Sequence, residues 1–341
     1  MINYKIFLRK SIPCFLFFIN FCGYSQICIN IGNEDFGDKV KASLELTNFD
    51  LFLLGETHGL AANAELQSMF YSYLNKEKGV DNILIEWGRG EAFLINEYIR
   101  TGDKNYLRWT TFGYFNWKKE MDSWEFIRKK CSENTRVYGV DFEREPSFTA
   151  AIYFLIDSTQ ITLKKALKAR LDTLKYSSDT HYMTKWVRDN IRMDIINLGI
   201  NNMLSNKSSQ AKFYERDGHM VKYFKSIYKP NEKYFGRFGT MHTQLNNRKV
   251  FAGMMASTHK VVVVNIHYHD SWYNQNTKVK YSYLNDKGFF RRKTIRKNCK
   301  YFKDLTKCKD FIIELKPENR YLEELMLKGQ FLIYLTNKTG L

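Results

Sequence analysis

DLFLLGETHG, residues 50–59, combines a strand pattern with chemically reactive side chains. Four consecutive apolar residues, 51–54, end at a glycine and are followed directly by Glu56 and His58. A short apolar run that stops at a glycine is typical of a buried strand. We therefore expect a strand over residues 50–55 whose carboxyl end carries a carboxylate and an imidazole.

Outward from this stretch, apolar runs of strand length alternate with segments of helical periodicity. Apolar residues at three- and four-residue spacing predict helices through residues 66–74, through residues 93–99 and up to about Lys130. This alternation predicts an α/β fold with a mostly parallel central sheet flanked by helices. The other predicted strands are residues 82–86, 136–140, 233–238, 261–266, 311–315 and 331–335.

A long segment between the third and fourth predicted strands has no strand pattern. Residues 148–229 indicate two or three helices with a polar break at residues 205–210. We interpret this segment as a helical insertion in a single domain that covers residues 26–341.

The N-terminus has the pattern of a secretory signal peptide. Lys5, Arg9 and Lys10 precede a mostly apolar run at residues 12–21, and small residues lie three and one positions before Gln26. The apolar run is too short for a membrane span, which needs about 20 residues. The pattern predicts that residues 1–25 are removed and that the protein is exported to the periplasm or secreted, with no later membrane span.

The cysteines that would follow such a signal peptide are Cys28, Cys131, Cys299 and Cys308. An even number of cysteines in an oxidising compartment permits disulfides. Cys299 and Cys308 are close in sequence and form the favoured pair, which leaves Cys28 with Cys131.

The chain is strongly basic, with a formal net charge of +17 at pH 7. Such a charge is compatible with nucleic acid, a membrane surface or an acidic substrate. The sequence has no arginine-rich block, no zinc-finger spacing and no aromatic RNA-binding motif, so nucleic acid is not the expected partner. We expect a small-molecule substrate instead.

Titratable side chains follow several of the predicted strands. Glu56 and His58 follow the first strand, Glu86 ends the second, Asp141 follows the third, and the fourth leads into GTMH at residues 239–242. In open parallel sheets ligands bind beyond the carboxyl ends of the strands. The pattern therefore predicts that Glu56, His58, Glu86, Asp141 and His242 lie at one rim.

A predicted helix over residues 213–227 contributes two further charged side chains. Asp217 shares a face with apolar residues, and Arg216 lies one position off that face. This placement indicates either a functional role near the rim or a structural salt bridge between the helix and the sheet.

The ordered set of motifs resembles the erythromycin esterase-like family, within a wider group that includes ChaN-like haem-binding proteins and Tiki-type proteins. The resemblance covers about residues 45–270. It rests on LGETHG at 54–59 with Glu65 following, IEWG at 85–88, YGVD at 138–141, RDGHM at 216–220 and GTMH at 239–242.

The resemblance implies an active cleft formed by Glu56, His58, Glu86 and His242. His58 would activate a water that attacks an ester or lactone carbonyl, oriented by a neighbouring carboxylate, while a cation or His242 stabilises the oxyanion. The supporting residues would be Glu65, Asp141, Arg216 and Asp217.

The sequence departs from the esterases at three places. The first is the spacing of the first motif, where the esterases have one more residue between the glutamate and the histidine. Gln67 replaces an arginine, and Gly239 and Thr240 occupy the region where the esterases have a further histidine. The resemblance therefore implies the fold and the cleft rather than the macrolide substrate.

Two other functions are compatible with the same rim. One is haem or iron binding, as in the ChaN-like relatives, with histidine and tyrosine side chains at the rim. The other is a metal-dependent hydrolase in which Glu56, His58, Glu86 and His242 bind a divalent cation such as zinc or manganese.

Overall fold

The computed structural model describes residues 26–28, 48–156, 161–173, 213–269, 271–272, 280–281, 311–314 and 331–336. Their strands are β1 (Gln26–Cys28), β2 (Leu51–Glu56), β3 (Asn82–Ile85), β4 (Arg136–Gly139), β5 (Tyr234–Gly239), β6 (Val261–His269), β7 (Ser271–Trp272), β8 (Lys280–Tyr281), β9 (Phe311–Glu314) and β10 (Phe331–Thr336). The helices are α1 (Ala61–Lys78), α2 (Arg89–Thr101), α3 (Lys104–Arg108), α4 (Thr111–Tyr114), α5 (Lys118–Lys130), α6 (Ser147–Leu155), α7 (Ile161–Thr173), α8 (Phe213–Ile227) and α9 (Phe251–Met255).

Eight of these strands form one sheet in the order β1-β9-β10-β6-β2-β5-β3-β4. The strands from β10 to β4 run parallel to their neighbours, whereas β9 and β1 pair antiparallel at the other edge. The short strands β7 and β8 form a separate antiparallel pair. The predicted α/β fold with a mostly parallel, helix-flanked sheet is confirmed. The largest difference in bounds is at β6, which continues three residues beyond its predicted end.

Apolar side chains cover both faces of the central strands. On β2, Phe52 and Leu54 pack in the cluster that includes residues of α1 and α5. Leu51 and Leu53 point to the opposite face and pack with residues of α8 and α9. Because successive side chains of a strand point to opposite faces, a strand buried on both faces is continuously apolar. This is why residues 51–54 have no polar alternation.

The position of β5 decides which strand ends become neighbours. β5 lies between β2 and β3, with Glu56 paired to Gly239 and Ile85 paired to Arg237. Almost one hundred residues separate the end of β4 from the start of β5 in the chain. The position of β5 between β2 and β3 therefore does not follow from the order of the elements and is set by the tertiary structure. It brings the carboxyl ends of β2, β5 and β3 together.

The described parts of residues 148–229 are helical. α6 packs against both α2 and α7, and α8 packs against α9. The predicted polar break at residues 205–210 lies outside the described residues, as do the predicted signal peptide and the cysteines at positions 299 and 308.

Cys131 is a free, half-buried thiol, so the remaining predicted pair with Cys28 is wrong for this structure. Cys131 follows α5 and packs against the apolar cluster on β2, β5 and β3. Cys28 belongs to β1, four strands beyond β2. Four strand spacings are roughly 19 Å, and a disulfide needs Cα atoms within about 7 Å. Burial raises the pKa of the Cys131 thiol to about 12.

Among the residues that the structure describes, no helix combines the length and the apolar character needed to cross a membrane.

Candidate functional site

The centre of the site is formed by the carboxyl ends of β2, β5 and β3. Glu56 is the last residue of β2, Gly239 is the last residue of β5, and Glu86 follows β3 directly. Both carboxylates are buried. The Gly239 backbone N–H donates a hydrogen bond to Glu86 Oε2 over 2.7 Å. Two carboxylates therefore lie on either side of the end of β5.

His58 lies between these two carboxylates. Its Nδ1 is 2.9 Å from Glu56 Oε1, and its Nε2 is 3.6 Å from Glu86 Oε2. A carboxylate can only accept a hydrogen bond, so Nδ1 carries a proton and Nε2 has the free lone pair in the neutral ring. The side chain is 60% exposed. His58 thus offers solvent a nitrogen that can accept a proton.

The surroundings of His58 favour its charged form. Partial burial acts to lower the pKa of the imidazole, but the hydrogen bond to Glu56 and the negative charges of Glu56 and Glu86 outweigh it. The pKa of His58 is consequently raised above 6.5. An imidazole with a carboxylate behind one nitrogen is the usual arrangement of a general base.

Gly239 allows this position of the imidazole. A Cβ atom at residue 239 would lie 2.8 Å from His58 Nε2 and 3.2 Å from His58 Cε1. Any side chain there would collide with the ring. The glycine at the end of β5 therefore leaves the space that the His58 ring occupies.

Arg216 from α8 joins two acids of the site. Its Nη2 donates to Glu86 Oε1 over 3.1 Å and also contacts Asp141 Oδ2, while its Nε donates to Asp141 Oδ1 over 3.2 Å. Asp141 lies two residues beyond β4 and is fully buried. Paired charges of this kind satisfy a carboxylate that would be costly to bury alone.

His242 is held behind Glu86 by carboxylates on both sides. Its Nδ1 lies 2.9 Å from each carboxylate oxygen of Asp217, and its Nε2 lies 3.1 Å from Glu86 Oε1. Burial opposes the charged ring, but hydrogen bonds and charge from Asp217 and Glu86 raise the pKa of His242 to about 9. At neutral pH the ring is an imidazolium with both N–H groups engaged.

Glu86 remains ionised as a result. Burial alone would raise its pKa, but His242 and His58 and the Gly239 N–H together lower the pKa of Glu86 well below its usual range. Glu86 is therefore a permanent negative charge between His58, His242 and Arg216.

Two residues that the sequence analysis did not select complete the site. Arg237 on β5 has its Nε 3.2 Å from Glu56 Oε2, and its Nη2 donates to both carboxylate oxygens of Glu120 over 2.8 Å. Arg237 is a charged residue within an otherwise apolar strand at residues 234–239, and this is the sequence feature that could have identified it. Glu120 shares a helical face with the buried Trp124 and Ile127, which is the same kind of signal as that of Asp217.

A cleft of about 370 Å³ opens beside His58. One part of its lining is polar and contains Glu56, Glu86, Glu120, Arg144, Arg216 and Arg237. The remaining wall is largely aromatic and comes mainly from α4 and α5 and the loops beside them. Its apolar members are Ile85, Trp87, Ile95, Phe112, Phe115, Trp117 and Trp124.

The predicted site residues divide into three groups. Glu56, His58, Glu86 and Arg216 line the cleft. The side chains of Asp141, Asp217 and His242 are buried behind them and are not among its lining residues. Glu65 is also absent from the lining: it lies on α1, where it forms a partly exposed ion pair of 2.7 Å with Lys119.

The arrangement of these side chains does not fit a metal centre. Among the described residues, no group of three or more His, Cys, Asp or Glu side chains is placed to hold a metal ion. The reason is that the expected ligands bind one another: Glu86 accepts from Arg216 and from His242, whose second nitrogen is bound to Asp217.

The described cleft also differs from the rim expected for haem binding. Its lining contains one histidine, His58, and no tyrosine. No observation on the described residues therefore favours haem binding over hydrolysis.

Comparison with known proteins shows a relationship at the level of the fold. No protein-family model matches the sequence, and no curated protein sequence matches it either. A crystal structure of a Bacillus cereus protein aligns with 92% of this chain and 95% of its own, with a TM-score of 0.60 and 15% identity. A succinoglycan biosynthesis protein has the same coverage, a TM-score of 0.57 and 11% identity.

A mutant of the erythromycin esterase EreC in its open conformation is also similar. The alignment covers 88% of this chain and 94% of the esterase, with a TM-score of 0.52 and 10% identity. At these identities the comparisons support a distant structural relationship, so this chain has the fold seen in an erythromycin esterase.

Proposed function

We propose that this protein is a hydrolase that cleaves an ester or a lactone with a water molecule activated by Glu56 and His58. The observation that carries the proposal is the position of His58, whose Nδ1 is hydrogen-bonded to Glu56 and whose side chain is 60% exposed and lines the cleft. The similarity in fold to an erythromycin esterase supports the same reaction class.

The reaction begins with proton transfer from water to His58 Nε2. The water oxygen attacks the carbonyl carbon as its proton passes to the imidazole, and Glu56 stabilises the imidazolium that forms. When the tetrahedral intermediate collapses, the bond to the alcohol oxygen breaks and the same Nε2–H protonates the departing alkoxide. The products are a carboxylic acid and an alcohol, and His58 returns to its neutral form.

A cation in the cleft stabilises the negative oxygen of the intermediate. The family resemblance implies a cation or His242 for this role, but both ring nitrogens of His242 are bound to carboxylates and the ring does not line the cleft. Arg216 lines the cleft and binds the Glu86 oxygen opposite the one that faces His58. We therefore assign oxyanion stabilisation to Arg216, with His242 and Asp217 positioning Glu86.

A water nucleophile agrees with the chemistry of the lining. No serine or cysteine lines the cleft among the described residues. The one hydroxyl side chain there, that of Thr111, donates a hydrogen bond of 3.0 Å to the buried Glu91. A covalent acyl-enzyme is therefore not part of the proposed mechanism.

The proposal is tested by replacing the base. His58→Ala should lower kcat/KM on a panel of simple esters by about 10²- to 10⁴-fold, the usual contribution of a general base. Because the His58 side chain is 60% exposed, the far-UV circular dichroism spectrum and the Tm of the His58→Ala protein should match those of the wild type. His259→Ala, at the opposite end of the sheet just before β6, is the matched control and should remain active.

Retained activity in the His58→Ala protein would refute the mechanism. Activity that a chelator abolishes in the wild type would instead support the metal-dependent alternative.

A further inference from the structure

The cleft has two chemically different sides. The groups assigned to catalysis are His58, Glu56, Glu86 and Arg216, and the ester bond must lie against them. The aromatic part of the lining offers few hydrogen-bonding groups. A substrate that fills the cleft therefore places its reacting bond on the polar side and another part of the molecule on the aromatic wall.

The aromatic wall is ordered by ring stacking. Phe115 stacks on Trp117 with ring centroids 5.4 Å apart and an interplanar angle of 20°. Phe112 stacks on Trp124 with centroids 6.4 Å apart and an angle of 21°. Stacked pairs of this kind contribute beyond their buried area and fix the ring positions. The wall is thus a preformed apolar surface.

Part of this wall is exposed to solvent. Phe115 is 43% exposed although it lines the cleft. Isolated exposed aromatic residues are ordinary, but Phe115 stacks on Trp117, which also lines the cleft, whereas Phe112 and Trp124 are only 4% and 2% exposed. An apolar group that covered this surface would gain about 0.8 kcal/mol for each buried methylene.

We propose that the substrate is an ester with an apolar substituent of limited size, bound on the wall formed by Phe112, Phe115, Trp117 and Trp124. This inference rests on the proposed hydrolase function and specifies its substrate class. The cleft volume of about 370 Å³ lies at the lower end of the range of ligand pockets, which favours a small ester.

Two substrate series that share methyl acetate as their first member test the proposal. One lengthens the acyl chain in methyl esters of straight-chain acids, and the other lengthens the alcohol in alkyl acetates; a pH-stat follows hydrolysis. In the wild type, kcat/KM should rise about two- to fourfold per methylene in at least one series. The increase should end once added methylenes no longer contact the wall.

The Phe115→Ala variant tests whether the aromatic wall causes the rise of kcat/KM with chain length. This variant should lose about tenfold in kcat/KM on the longest esters and much less on methyl acetate, so that kcat/KM depends less steeply on chain length than in the wild type. Phe126→Ala is the matched control, because Phe126 is 38% exposed and does not line the cleft. The Phe126→Ala protein should keep the wild-type dependence of kcat/KM on chain length. A purely structural effect of Phe115→Ala would lower kcat/KM equally on all esters.

The assignment of the wall would be overturned if kcat/KM of the wild type did not rise with chain length in either series. It would also be overturned if kcat/KM of the Phe115→Ala protein rose as steeply as that of the wild type. If the wild type hydrolyses no ester at all, the proposed function fails while the wall remains testable by binding. Isothermal titration calorimetry of octanoate with the His58→Ala protein should then show binding. Adding Phe115→Ala to this protein should weaken the binding about tenfold, and adding Phe126→Ala should not change it. Equal binding by the single variant and both double variants would refute the assignment of the wall as the binding surface.

Discussion

Replacing Gly239 with alanine should separate the activity of this protein from its stability. The new Cβ would lie 2.8 Å from His58 Nε2 and 3.2 Å from Cε1, whereas ordinary contacts begin at 3.4 Å. The ring must therefore move by at least about 0.6 Å. The same Cβ would lie 3.5 Å from Glu86 Oε2, which is an ordinary contact and leaves Glu86 in place.

The size of the effect follows from which group can move. The His58 side chain is 60% exposed, so it can rotate outward without disturbing the core. The loss of stability should be limited to its hydrogen bond with Glu56, about 1 kcal/mol in the free energy of unfolding. A misplacement of about 1 Å in a catalytic group costs on the order of 100-fold in rate. We therefore expect kcat to fall about 100-fold with little change in Tm.

Two measurements check this expectation. Steady-state kinetics on a simple ester gives kcat, and NMR titration of the His58 ring gives its pKa, which should decrease towards 6.5 as the ring leaves Glu56 and Glu86. Gly218→Ala is the control, because Gly218 is an exposed residue of α8 and a Cβ there meets nothing within 4 Å. An unchanged kcat and an unchanged His58 pKa in Gly239→Ala would refute the reasoning about the ring position.

Two further predictions concern pH. Because the pKa of His58 is raised above 6.5 and the base acts in its neutral form, kcat/KM should increase with pH, with a midpoint above pH 6.5. Glu56→Gln should lower the pH of this midpoint. A midpoint below pH 6.5 in the wild type would contradict the assignment of His58 as the base. Because the folded-state pKa of His242 is about 9, the stability that its ion pairs contribute is complete below pH 6.5 and is lost as pH rises towards 9. The loss should be about 3 kcal/mol in urea unfolding. His242→Gln should remove this pH dependence and lower stability at pH 7, since Asp217 then lacks its cation and Glu86 keeps only Arg216.

The network around Glu86 explains why His242 matters although it does not line the cleft. His242 and Arg216 both bind Glu86 Oε1, and His58 faces Oε2. Two fixed cations keep Glu86 ionised, and the ionised Glu86 in turn favours the proton on His58. The role of His242 is therefore to position and charge a residue that faces the base.

Local patterns in the sequence were sufficient for much of the fold. The apolar run at residues 51–54 and its glycine mark β2 because a strand buried on both faces needs continuous apolar side chains. The acids Glu56 and Glu86 were recognised because a carboxylate at the end of a buried strand must be paired or functional. Asp217 was recognised in the same way, from its place on an apolar helical face.

The relations between these segments were decided only by the tertiary structure. Insertion of β5 between β2 and β3 places Gly239 under the His58 ring, and no local pattern encodes which strands become neighbours. The same insertion aims Arg237 at Glu56 and Glu120, which come from elements far apart in the chain. His242 was expected in the cleft because it follows a strand, yet Asp217 and Glu86 hold its two nitrogens. The sequence thus determined which side chains are costly to bury, and the packing of distant elements determined which of them neutralise one another and which one faces solvent as the base.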